Sequence, residues 1–256
     1  MKKHSPWLWV PSLYFAEGLP YIAVMTLSLV MYKKMGISNT DIALYTSWLN
    51  VPWVIKPLWS PFVDLLRTKR WWIISMQLLI GAGLAGIAFT IPATHFFQTT
   101  LAVFWLMAFS SATHDIAADG FYMLGLDSHG QAFFVGIRST FYRIANIAGQ
   151  GLLIMLAGYL EKSSGNIPYS WSITFFLMAG IFIALWLYHA FILPRPASDR
   201  PASHVSARNL ITEFLMTFGS FFRKKTGRNR HSLHAALPSS GSPVGKNGYP
   251  FPARPD

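Results

Sequence analysis

Six stretches of this chain are each long enough and apolar enough to cross a bilayer: Trp7–Met31, Ile42–Val63, Trp71–Ile91, Thr100–Gly125, Phe134–Leu160 and Tyr169–Leu193. A helix spanning the hydrocarbon core needs about 20 mostly apolar residues. A soluble domain has no use for six such runs joined by short connections. The predicted fold class is therefore an all-α polytopic membrane protein with six transmembrane helices. It carries, in addition, an amphipathic surface helix and a disordered tail. No A-x-A-like cleavage site follows the first run, so that run reads as a retained span and not as a removed signal.

Composition changes near residue 193. Residues 1–193 hold 11 Lys/Arg against 7 Asp/Glu, and residues 194–256 hold 10 against 3, so most of the net charge of +11 sits in the shorter part. Basic chain that follows apolar spans reads as lying at an anionic membrane surface, with no nucleic acid expected as partner. Cysteine is absent, which excludes a disulfide framework and thiolate metal sites. The expected organisation is a transmembrane bundle over 1–193, a basic cytoplasmic linker over 194–225 and a disordered tail over 226–256. Within the linker, apolar residues recur at three and four across Val205–Phe222 and end at Arg223-Lys224-Lys225, the pattern of a surface helix. The tail has no periodicity and is rich in Gly, Pro and Ser. It also resembles sequence read out of frame after a coding interruption, which would make the chain truncated.

Orientation follows the distribution of Lys and Arg. Lys2 and Lys3 precede the first span. Arg67, Lys69 and Arg70 lie between the second and third, and Arg195, Arg200 and Arg208 follow the sixth. Lys33 and Lys34 sit on the other side, where their side chains can snorkel outward. Both termini are expected to be cytoplasmic.

The spans are not uniformly apolar, and the exceptions carry the functional reading. A carboxylate at the centre of a bilayer costs about 2.5–3.5 kcal/mol on insertion scales, so intramembrane charge is retained chiefly for function. The fourth span contains Leu106–Tyr122 (LMAFSSATHDIAADGFY), with His114, Asp115 and Asp119. Asp115 and Asp119 are four apart and share a helical face. The first span holds Glu17-Gly18-Leu19-Pro20, with backbone interrupted beside the carboxylate, as in broken transporter helices. The second holds Pro52, Pro57 and Pro61, with Lys56 before Pro57, and should be heavily distorted. In the fifth, Arg143, Asn146 and Gln150 form a polar stripe at i, i+3 and i+7, and Arg138 lies nearer the surface. Gly149, Gly151 and Gly158 would allow close helix packing. At 1.5 Å rise per residue, Asp115 and Arg143 fall at similar depth, as do Asp119 and Arg138. Glu17, Lys56, Asp115 and Arg143 should form a layer that is neutral in sum. A purely structural set of ion pairs is the plain alternative.

Four patches resemble the N-terminal half of the AmpG-type muropeptide permeases, a branch of the major facilitator superfamily. Phe15-Ala16-Glu17-Gly18-Leu19-Pro20 looks like that family's first-span Gly-Leu-Pro signature. Trp53–Asp64 (WVIKPLWSPFVD) looks like its Lys-x-x-Trp-x-Pro-x-x-Asp run. Ser111–Asp119 (SATHDIAAD) looks like its Ser-Ala-x-x-Asp-Ile-x-x-Asp pattern, and Gly136-Ile137-Arg138 like the Gly-Tyr-Arg that opens span five. The superfamily's loop between spans two and three is kept at Asp64 and at Lys69-Arg70. The first Gly, the following Arg and the second Gly of that loop are not in place.

The resemblance implies half of a twelve-helix fold with substrate bound between two six-helix halves. It implies proton-coupled import of anhydro-muropeptides across the bacterial inner membrane, a symport used in peptidoglycan recycling. Asp64, Lys69 and Arg70 would form the gating loop. A carboxylate in low dielectric holds a proton that a nearby cation helps release, so rearranging such a pair couples protonation to conformation. Asp115, Glu17 and Asp119 are the candidate proton-coupling residues. Arg143, Lys56, Arg138, Asn146 and Gln150 are the candidate charge partners or substrate contacts, and Trp53, Trp59, Tyr14 and Tyr142 are candidates for stacking on a sugar. The expected partners are a muropeptide, protons, the lipid bilayer and a second half or second copy of the chain. No cofactor is expected. Two rivals belong to other classes. One is a non-transporting remnant or assembly subunit. The other is a membrane-embedded metal enzyme using His114, Asp115 and Asp119, for which no second cluster of ligands completes a shell.

Overall fold

The computed structural model describes residues 5–200, and all regular structure among them is helical. The surface helix expected at Val205–Phe222 and the tail over 226–256 lie outside the described residues. We number the helices α1 (Pro6–Lys34), α2 (Asn39–Thr46), α3 (Val51–Ile55), α4 (Ser60–Leu66), α5 (Lys69–Thr90), α6 (Phe96–Gly125), α7 (Ser128–Ser164) and α8 (Ile167–Ile192). Five of these, α1, α5, α6, α7 and α8, are long and apolar enough to cross a membrane. The chain is thus a multi-pass membrane protein.

The remaining expected span, Ile42–Val63, is not one helix. It is α2, α3 and α4 joined by 3-10 turns at Ser47–Asn50 and Lys56–Leu58. Proline supplies the reason: Pro52, Pro57 and Pro61 each lack an N–H and cannot continue the ladder of the turn before. Pro52, Pro57 and Pro61 instead stand at the first or second position of a new helical segment, where a missing donor costs nothing.

The first span, by contrast, runs on through Gly18 and Pro20. Its irregularity comes just after them, as a π-helical turn at Ala23–Leu27. A second π turn, Ala148–Leu153, interrupts α7, and the two π turns pack against each other. Four of the eight helix starts are capped by side chains, the first by Ser38, which accepts from the Asp41 amide. Thr68 accepts from the Trp71 amide, Asp127 from Gly130 and Asn166 from Tyr169. Gly165, in the left-handed region at φ 65°, closes α7, a conformation that glycine adopts without a Cβ clash.

Counting the broken segment as a span, successive spans alternate in direction, so one end of the bundle gathers the start of α1, Asp64, Lys69, the end of α6, the start of α7 and the end of α8. We call this the N-terminal side. The buried core divides in two. The cluster on the N-terminal side centres on Trp9, Leu13, Ile73 and Phe121, and the larger one beyond it on Leu27, Tyr32, Leu84, Phe104 and Phe175. Helix α5 packs most extensively on α6 and α8, and α1 on α7. That last contact is close because a Cβ on Gly18 would stand 2.9 Å from both Ala145 Cβ and the Tyr142 carbonyl oxygen. One on Gly149 would stand 2.7 Å from Ile22. Gly151 and Gly158, expected to serve the same purpose, have nothing within 4 Å.

On the N-terminal side the chain after α8 turns back over the start of α5. The Asp199 carboxylate accepts from the backbone amides of Lys69 (2.7 Å) and Arg70 (3.0 Å). The Arg70 guanidinium donates to the carbonyls of Leu193 (3.2 Å) and Ala190 at the end of α8. One helix start receives a carboxylate and one helix end a cation, each favourable with the helix dipole. On the opposite side Lys34, at the end of α1, pairs with Glu161 of α7 at 3.1 Å.

Candidate functional site

The polar residues of the spans converge between the two core clusters, where α1, the broken segment, α6 and α7 meet. Local structure explains how each arrives there. Lys56 lies in the 3-10 turn before Pro57, so its side chain leaves the distorted segment toward α6. It pairs with Asp115, and Asp115 is largely buried in doing so. One turn later on the same face of α6, Asp119 accepts from Arg138 of α7 at 3.0 Å and from the Tyr14 hydroxyl of α1 at 2.9 Å. Arg138 also donates to the Tyr14 oxygen at 2.9 Å. Its guanidinium stands 4.8 Å from the Tyr14 ring centroid and 5.1 Å from that of Tyr122. The Tyr14–Asp119–Arg138 triangle thus joins α1, α6 and α7 through hydrogen bonds, an ion pair and cation–π contact.

Glu17 lies one helical turn beyond Tyr14 and faces the Asp115 carboxyl. Its Oε2 is buried and has no hydrogen-bond partner among the described residues; the same holds for Oδ1 of Asn146. Gly18 brings the backbone of α1 against α7 beside Asn146, which is how these two acceptors come to lie near one contact. A cavity of about 270 Å³ opens next to them, lined by Tyr14, Glu17, Arg138, Ser139, Tyr142 and Arg143. Arg143 forms no ion pair among the described residues and, like Gln150 two turns on, is exposed at the bundle surface.

A layer of this kind matches the depths expected from rise per residue, and Asp119 meets Arg138, the residue placed at its depth. The partner of Asp115 is Lys56, whereas Arg143 lines the cavity instead. Three acids and three bases meet here: Glu17, Asp115 and Asp119 with Lys56, Arg138 and Arg143. Asp64, Lys69 and Arg70 lie apart from this layer, on the N-terminal side. There Lys69 pairs with Asp64 and Arg70 holds the end of α8. Of the aromatic candidates, Tyr14 and Tyr142 line the cavity. Trp53 packs edge-on against Tyr21, and Trp59 donates to Thr113 at 3.2 Å. No group of three or more His, Cys, Asp or Glu side chains with metal-binding geometry occurs among the described residues.

Sequence reasoning missed a second polar system. His114, Gln77 of α5 and His189 of α8 are fully buried. Gln77 Nε2 donates to His114 Nε2, His189 Nδ1 donates to Gln77 Oε1, and the Ser12 hydroxyl donates to His189 Nε2, each at 3.0 Å. A signal was present: Gln77 is the only amide in the third span and His189 the only histidine in the sixth. Single polar residues in separate helices carry no spacing that would link them.

Comparison with known proteins adds to this geometry. A family model described as the BT1 family matches residues 15–235. An uncharacterised protein of Haemophilus influenzae is 28% identical over 183 residues, covering 68% of this chain and 40% of the relative. An uncharacterised protein of Schizosaccharomyces pombe is 28% identical over 118 residues, covering 42% of this chain and 22% of the relative. The chain therefore spans less than half the length of these relatives.

Proposed function

The chain belongs to the BT1 family, a major facilitator-type permease family that includes AmpG-like proteins, and from that premise we propose that it supplies one six-span half of a proton-coupled importer of anhydro-muropeptides. The observation that carries this reading is the charged layer. Three carboxyl groups and three cations at mid-depth are costly in a bilayer unless used. Two buried acceptors there, Glu17 Oε2 and Asn146 Oδ1, lack a donor. In this reading Glu17 and Asp115 share the transported proton, and Lys56 is the cation whose approach or withdrawal decides which form of Asp115 is favoured. Asp119, tied to Arg138 and Tyr14, holds α1, α6 and α7 together on the N-terminal side of the cavity.

Arg143 is the anchor for an anionic group of the substrate. A guanidinium gives a carboxylate two parallel hydrogen bonds, Tyr142 and Tyr14 offer aromatic surface to a sugar ring, and Asn146 accepts an N–H or O–H. Exposure of Arg143 and Gln150 at this depth means that their face meets protein or a water-filled cavity, not lipid. A second six-span body, from a partner half or another copy, is the cover that encloses the substrate. Asp64, Lys69 and Arg70 close the N-terminal side of the bundle, which this reading places in the cytoplasm of a cell whose inner membrane holds the protein.

A second reading has its own support. The exposed polar face of α7, with Arg143 and Gln150, also suits a subunit that assembles with others and transports nothing alone. Reconstitution of the full chain into proteoliposomes decides between them. Uptake of radiolabelled anhydro-muropeptide that rises several-fold under an inward proton gradient, and falls at least tenfold in Asp115→Asn, supports the importer. Uptake equal to that of empty vesicles supports the subunit.

A further inference from the structure

We infer that Gln77 is a positioning residue: by holding His114 it fixes the rotation of α6 and so keeps the Asp115 carboxylate against Lys56. From Ser110 to Asp119 the helix carries Ser, Ala and Thr at most positions (SSATHDIAAD). Small side chains let helices approach closely but leave few knobs to resist rotation or sliding. The hydroxyls add one tie outside the helix: Ser110 donates to its own Leu106 carbonyl, and Thr113 donates to its own Phe109 carbonyl while accepting from the Trp59 indole at 3.2 Å. His114 is the large polar side chain that reaches away from the Asp115 face. It is fully buried and accepts from Gln77 at 3.0 Å.

Neighbouring residues on a helix project about 100° apart. Once His114 is pinned toward α5 and α8, the azimuth of Asp115 is set as well, toward Lys56 of the broken segment and Glu17 of α1. Gln77 is itself held from behind. Its carbonyl accepts from His189 Nδ1, and His189 accepts from Ser12, both at 3.0 Å. The amide thus cannot give up one bond without disturbing the other, and the pin runs through α1, α5, α6 and α8. Buried groups are costly to leave unpaired, which makes the Gln77–His189–Ser12 links stiff; His114 is held through Nε2 alone, its Nδ1 having no hydrogen-bond partner among the described residues.

The use of this pin in transport rests on the proton-coupled reading, so the test reads the Asp115–Lys56 pair before it reads uptake. Gln77→Met keeps the side chain's length and removes both hydrogen bonds, and His114→Phe breaks the same contact from the other end. Infrared difference spectra of the full chain in lipid identify the Asp115 carboxyl band by its loss in Asp115→Asn. We expect that band to shift in both variants while circular dichroism and gel-filtration profiles stay those of the parent. In proteoliposomes, proton-driven uptake should then fall about tenfold at unchanged substrate binding. A band that stays in place in the folded variants overturns the proposal, whatever uptake does. A band that shifts in a protein showing no proton-driven uptake in its parent form keeps the positioning role and removes the transport reading. If one variant fails to fold, the other decides.

Discussion

Lys56 and Asp115 depend on each other more than any other pair in the layer, and this makes a residue-scale prediction. Removing one member leaves the other's charge uncompensated in a low-dielectric setting. Lys56 keeps about a third of its side chain accessible and Asp115 about a seventh, so the cost is discounted to about 1–3 kcal/mol. Lys56→Met and Asp115→Asn should each lower thermal stability in detergent, and the double variant should recover part of the loss, giving a coupling energy of about 1 kcal/mol or more. Additive losses would mean that the two side chains do not act as a pair. At Gly149, a valine would drive a methyl into Ile22, which stands 2.7 Å from where a Cβ would lie. Overpacking of that kind costs about 1–3 kcal/mol, and Gly151→Val, which faces open space, serves as the neutral control. The residues of the layer were legible because charge in an apolar run is conspicuous by type alone. Their pairing was only half legible. Rise per residue ranks depth but not azimuth, so Asp115 could be matched to Arg143 or to Lys56, and the 3-10 turn at Pro57 decides for Lys56. Gln77 and His189 stood out singly, but their linkage with Ser12 was not legible because the three sit on different helices with no shared spacing.

The elements themselves carry two further predictions. A π turn is an α-helix with one residue too many, so deleting Met25 from Ala23–Leu27 should restore a plain helix while keeping both flanks in register. Circular dichroism and the melting temperature should change little. Deleting Ile80 from the middle of α5 should instead unfold or aggregate the protein, because every residue beyond it rotates by about 100°. Equal damage from the two deletions would contradict the assignment of slack to the π turn. At the end of the bundle, Asp199→Ala removes the acceptor for the first two amides of α5. Loss of such a cap costs about 1–2 kcal/mol. Amide exchange at Lys69 and Arg70 should quicken while that of mid-α5 does not, and unchanged exchange would show that the cap contributes nothing. The five continuous helices were plain from length and apolarity, with boundaries displaced by a few residues. Three prolines announced the distorted segment but not its division into α2, α3 and α4, since each proline could have kinked a helix or started one. The π turns had no sequence mark, because an inserted residue in an apolar run looks like any other residue of the run.

For the whole molecule, the alternation of spans was legible from sequence, and so was the convergence of charge on one end. What stands around the exposed Arg143 and Gln150 was not, because a sequence lists polar residues without saying which of them a neighbouring body covers. Orientation is open to direct test. Single cysteines placed at Thr68 and at Thr94 should label from opposite sides of intact cells, with Thr68 protected from an impermeant reagent. Labelling of Thr68 from outside would invert the assignment. The claim on which the account turns is that substrate and proton move together through the charged layer. The most direct measurement is of proton movement itself, in proteoliposomes of the full chain suspended in weak buffer, with anhydro-muropeptide added outside. The account predicts a transient alkalinisation of the medium that follows substrate entry and is lost in Asp115→Asn. Substrate entry with no alkalinisation, or an alkalinisation that Asp115→Asn leaves intact, would contradict it.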